Sequence, residues 1–228
     1  MGQMPMQGAQ MLSMPWLPMP GQTWPGAAAS FLCMWLVMMV AMMLPSLLPM
    51  LCRYREALGR NGELRRGRLT ALVGLGYFCV WTAFGMAAFL LASALLALAM
   101  QIPTLARAAP IASGVAVLIA GALQFTAWKA HHLTCCREAP GRGRILPPDA
   151  ATAWRCGLGF GLHCCHCCFG LMTILLLIGV MDLRAMALVA AAITLERLAP
   201  GAERTARATG ALAVLAGLLL IAQAAGLG

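Results

Sequence analysis

Long apolar runs separated by short, mostly basic stretches set the rhythm of this chain. The runs fall at about 27–51, 69–100, 110–130, 156–180, 185–199 and 208–227. Several reach the ~18 residues or more needed to cross a bilayer as a helix. The pattern predicts an all-α, polytopic transmembrane helical bundle of about six spans, occupying residues 27–228. Ahead of it, residues 1–26 form a Met/Pro-rich tail with no charged side chain and no continuous apolar block. Such a segment lacks the basic start and apolar centre of a cleavable signal peptide and is expected to stay attached. Pro45 and Pro49 remove backbone donors late in the first run and are expected to bend it there.

Charge orients the bundle. Arg53, Arg55, Arg60, Arg65, Arg66 and Arg68 lie in the first predicted loop, and Lys129, Arg137, Arg142, Arg144 and Arg155 in the third. Arg197, Arg204 and Arg207 lie in the fifth, while only Arg107 and Arg184 fall on the other side. Basic loops stay in the cytoplasm, so both termini are expected outside. This places the chain in a bacterial inner (cytoplasmic) membrane as a multi-pass protein, its N-terminal tail periplasmic or extracellular. With 61% hydrophobic and 10% charged residues, the net charge of +9 belongs to loops beside a lipid bilayer and does not point to nucleic acid.

The chemistry concentrates in the fourth run, where GLGFGLHCCHCCFGLM places His163, Cys164, Cys165, His166, Cys167 and Cys168 in consecutive positions. At about 100° per residue, Cys164, Cys167 and Cys168 share one arc of roughly 100°, and Gly157 and Gly161 extend that stripe. Small residues on it invite a close helix neighbour, while His163, Cys165 and His166 point elsewhere. One helix cannot close a metal site alone, so further ligands are expected from other segments. His132 with Cys136, and His131 with Cys135, are one turn apart near the end of the third run. Glu196 is an acid close to the end of the fifth run, where it is either functional or a partner of Arg197 or Arg155. Met39 and Met43, also one turn apart, lie at a depth similar to the cysteines, about 15 Å in by helical rise. Methionine equally serves as a flexible filler of apolar cores. The tail adds Met1, Met4, Met6, Met11, Met14 and Met19 as soft thioether donors.

Several motifs carry a resemblance: W…MM.AMMLPS..PM around Trp35 to Met50, GY..VW..FG from Gly76, the Gln124 to Pro140 segment, G…G..C..CC.GLM from Gly157 to Met172, then GVMDL and LERL.P. Over about Phe31 to Pro200 the chain resembles a bacterial family of predicted metal-binding integral membrane proteins of unknown function, whose most specific feature is a CxxCC transmembrane motif. The resemblance implies a helical membrane protein with a metal site in which Cys136, Cys164, Cys167, Cys168 and Glu196 stand at the family's positions. His132 replaces what is typically a cysteine there, and Cys165 and His166 are additions.

The expected metal ligands are therefore Cys164, Cys167, Cys168, His132, Cys136, Cys165, His163, His166, Glu196, Met39 and Met43. Thiol and thioether donors favour Cu(I), with zinc as the other candidate. The leading expectation is copper handling by uptake, transfer or delivery to a membrane enzyme complex or copper carrier. The alternatives are a membrane thiol–disulfide redox protein and an accessory subunit of a membrane complex with a structural metal. No catalytic residue is assigned, since the chain carries no phosphate loop, serine triad signature or dinucleotide fingerprint; an enzyme is the less favoured class.

Overall fold

The computed structural model describes residues 23–59, 62–138, 147–179 and 182–226. The methionines of the tail, and Arg60, Arg142 and Arg144 of the loops, lie outside the described residues. The all-α class holds: among the described residues seven helices follow one another, α1 (Trp24–Ala57), α2 (Glu63–Gln101), α3 (Pro103–Leu123), α4 (Ala127–Glu138), α5 (Ala150–Ile178), α6 (Leu183–Leu198) and α7 (Ala202–Ala224).

Local chemistry starts the helices that matter most. Pro25 occupies the first turn of α1, where its missing N–H costs nothing. The helix then runs past Pro45 and Pro49 to Ala57. Asp149 caps α5 by accepting the Thr152 backbone N–H at 2.8 Å. That hydrogen bond holds the Asp149 carboxyl below the usual carboxylate range. Asp182 caps α6 in the same way through Arg184 and Ala185.

Among the described residues four helices, α1, α2, α5 and α7, are long and apolar enough to cross a membrane. A fifth crossing is available if residues 107–123 and α4 form one broken span, bent by 63°. The stretch 110–130, expected as one continuous run, therefore changes direction within itself. Gln124, Phe125 and Thr126 donate their N–H groups three residues back, to Gly121, Ala122 and Leu123, which tightens the turn and ends α3. Thr126 Oγ1 then accepts the Lys129 N–H and opens α4. At 16 residues α6 is too short to belong with the four. Large apolar side chains such as Val37, Leu90, Leu91, Leu188 and Leu212 face outward, where lipid is the compatible surrounding.

Two of the close glycine contacts join helix pairs directly. In one, Gly157 lies against the Val73 carbonyl, and a Cβ on Gly161 would sit 2.9 Å from Val80, so α5 rides directly on α2. In the other, Gly121 and Gly217 bring the backbones of α3 and α7 together. Between α1, α2 and α5 lies the core, with Trp35, Met39, Met43, Tyr77, Trp81 and Cys164 all buried.

Candidate metal centre

The predicted thiol face of α5 is the inner wall of that core. Cys164, Cys167 and Cys168 are at most 2% exposed, and their sulfurs all lie within 4.8 Å of one another. Cys167 Sγ is 3.6 Å from Cys168 Sγ, and Cys164 Sγ is 4.0 Å from Cys168 Sγ. From α4, Cys136 brings a fourth sulfur to 3.6 Å from Cys167. These sulfurs are too far apart to be bonded, since a disulfide needs ~2.05 Å, and all four cysteines are free. The group is a cage of soft donors from two helices: Cys164, Cys167 and Cys168 are close enough for one ion to draw them together, and Cys136 meets them at Cys167.

Three other helices close the cage. From α2, the Tyr77 hydroxyl lies 2.9 Å from Cys164 Sγ. α1 supplies Ser46, and its Met39 and Met43 are fully buried in the same core without a described contact to the sulfurs. α6 supplies Arg197, whose guanidinium donates to Ser46 Oγ at 3.0 Å and reaches to 4.0 Å from Cys167 Sγ. Among the described residues no carboxylate forms an ion pair with Arg197, although it is only 7% exposed. A buried cation demands a compensating charge. The thiols of the cage are the groups able to provide it, as thiolates.

Glu196 turns away from the sulfurs. Its Oε2 pairs with Lys129 Nζ at 2.7 Å, and its Oε1 accepts the Thr209 hydroxyl at 2.6 Å. The anticipated pairing with Arg197 or Arg155 is replaced by this one. Lys129 also donates to the Cys167 carbonyl, so a neutral buried ion pair props the backbone of the central cysteine. Arg137 donates to the Glu196 and Ala199 carbonyls, closing the end of α6 beside the pair.

The remaining predicted ligands gather elsewhere. His132 from α4 and His163 from α5 meet with their Nδ1 atoms 3.3 Å apart. The His166 ring stacks on His132 with centroids 4.8 Å apart, and Trp128 meets both rings edge-on. His131 and Cys135 approach each other to 3.7 Å one step further out. Cys165 is half-buried on α5 and outside the close thiol group.

Tyr77, Ser46, Lys129 and Arg197 surround the cage without having been singled out from the sequence. Lys129 and Arg197, loop charges by sequence position, are both buried. Their one signal was position: each sits among apolar residues at the very end of a run.

A family model described as "PpoB2: Copper chaperone" matches residues 32–220. No curated protein and no solved structure matches the chain. The matched span is most of the sequence, and the chain belongs to the PpoB2 copper-chaperone family.

Proposed function

We propose that this member of the PpoB2 family is a membrane-embedded Cu(I) chaperone that holds the ion on cysteine thiolates and delivers it to a membrane partner. The observation that carries the reading is the buried group of four free thiols, Cys136, Cys164, Cys167 and Cys168, with an uncompensated arginine against it. Soft sulfur donors select Cu(I). An anionic copper–thiolate group is the natural counter-ion for Arg197. Lys129 and Arg137 line a cavity of about 750 Å³ between α4 and the start of α7, which none of the four cysteines reaches. The orientation that goes with the proposal has the basic loops in the cytoplasm, both termini outside and about six passages through the membrane, the sixth needing the short α6 in addition to the four long helices and the broken pair.

A thiol redox role has less support, because it needs an accessible thiolate and these sulfurs are sealed. The test is metal content after anaerobic purification in mild detergent, with free thiols counted in parallel. About one sulfur-bound copper per chain is expected. Cys164→Ser and Cys168→Ser should lose it, and Cys33→Ser and Cys79→Ser, at exposed thiols, should keep it. Equal copper in all four variants, or a copper-free chain with paired cysteines, refutes the proposal.

A further inference from the structure

His132 and Cys136 are one turn apart on α4, and His163 and Cys167 are one turn apart on α5. The two helices thus touch through an imidazole pair and a thiol pair, separated by about 6 Å along either helix. We infer that His132 and His163 form a second, more open copper site, a landing or departure station beside the thiol cage. This rests on the copper reading above for the identity of the ion.

The spacing of the imidazoles supports it. Metal–imidazole bonds are ~2.0–2.1 Å, so two such nitrogens on a trigonal or tetrahedral ion stand about 3.3 to 3.6 Å apart. The observed Nδ1–Nδ1 separation is 3.3 Å. Without metal, one ring donates its N–H to the other across this gap. On binding, that proton moves to the ring's own Nε2, and both Nδ1 lone pairs face the ion. A bent pair leaves coordination positions open, which is what a transfer site needs, since an incoming donor can bind before the outgoing one leaves.

The surroundings keep the pair ready. Trp128 lies edge-on to the His132 ring at 4.9 Å, and His166 stacks on its face at 4.8 Å. His166 Nδ1 donates to the Leu162 carbonyl at 2.7 Å, fixing the tautomer and leaving Nε2 with a free lone pair. A third imidazole therefore stands exposed beside the pair, able to join as copper arrives. Imidazole is a harder donor than thiolate, so Cu(I) should occupy the cage first and the imidazoles second.

The experiment is a stepwise anaerobic titration of the purified full chain in detergent with Cu(I), read by X-ray absorption at each equivalent. The first copper is expected to show sulfur neighbours only, and the second to bring imidazole scattering. His163→Ala and His132→Gln should each bind one copper fewer and lose the imidazole signal, while the sulfur-bound equivalent reports that the chain is folded. His131→Ala should keep both coppers. Saturation of the parent chain at one sulfur-bound copper overturns the inference, as does a second copper that persists in a His132→Gln, His163→Ala chain. If the only copper found is bound by imidazole, the cage proposal fails and this one stands. Triple replacement of Cys164, Cys167 and Cys168 by serine should abolish the sulfur-bound equivalent and leave the imidazole one.

Discussion

The thiol contact and the imidazole contact join the same two helices a turn apart, yet they meet opposite surroundings. Around the thiols everything is closed: four sulfurs, Tyr77, Ser46 and Arg197 come from five helices, and the Lys129–Glu196 pair lies behind them. Around the imidazoles the walls among the described residues are the rings of Trp128, His131 and His166, and His166 itself is exposed. A sealed, charge-compensated donor set holds an ion tightly and releases it slowly. A half-open one exchanges it. The difference shows that identical spacing on a helix pair can build retention on one face and exchange on the next, depending on what packs behind it.

The comparison breaks most severely at Cys167, which touches both Cys136 and Cys168 and faces Arg197. Cys167→Ser should weaken copper retention in the cage by at least about 100-fold, read by competition with a chromophoric Cu(I) chelator. The imidazole-bound copper should remain. Loss of both together would mean that the two contacts are a single site.

The next largest effect is on stability, and it should be confined to the sealed side. Lys129→Met strands the buried Glu196 carboxylate, and breaking a buried pair from one end costs about 3–5 kcal/mol. Thermal unfolding in detergent should show the loss. Adding Glu196→Gln should restore most of it, because the amide carries no charge and can still accept from Thr209. Equal instability in single and double variants would mean that the pair matters for its packing and not for its charge.

A smaller effect distinguishes the two faces of α5 itself. Gly161 faces α2, and a Cβ there would sit 2.9 Å from the Val80 side chain and 3.0 Å from the Tyr77 carbonyl. Gly161→Ala should cost about 1–3 kcal/mol by overpacking and should loosen the cage by moving Tyr77. Gly159→Ala meets nothing within 4 Å and should be neutral or slightly stabilising, alanine being the better helix former by about 1 kcal/mol. Thermal melts of the two variants, with copper retention measured alongside, check this pair.

The thiol face was legible in the sequence because helical periodicity alone places Cys164, Cys167, Cys168, Gly157 and Gly161 on one stripe. The packing of that stripe on α2 follows from the same glycines. Less legible was everything that depends on which helix lies opposite. Lys129 and Arg197 read as interfacial charges, since a basic residue at the end of an apolar run normally snorkels to water; only tertiary packing reveals that each has a buried partner. The turn at Gln124 to Thr126 contains neither proline nor glycine and is made by three-residue hydrogen bonds, which leave no mark in hydropathy. The histidines were visible as candidate ligands, but their separation from the thiols was not. It arises because α4 meets α5 through two successive turns.

The gentlest probe of the comparison is Tyr77→Phe. Tyr77 is fully buried, and its hydroxyl lies 2.9 Å from Cys164 Sγ, so it donates to the sulfur once that sulfur is a thiolate. Removing the hydroxyl leaves the ring in place and the fold intact. It takes one hydrogen bond from a sulfur that is already screened from water, and a hydrogen bond to a charged group contributes about 1.5–3 kcal/mol. Copper in the cage should therefore bind roughly 10- to 100-fold more weakly, with the stoichiometry and the imidazole site unchanged. A Tyr77→Phe chain with unaltered affinity would show that Cys164 is a neutral thiol in the copper-bound state, and the anionic part of the cage would then consist of the sulfurs nearest Arg197.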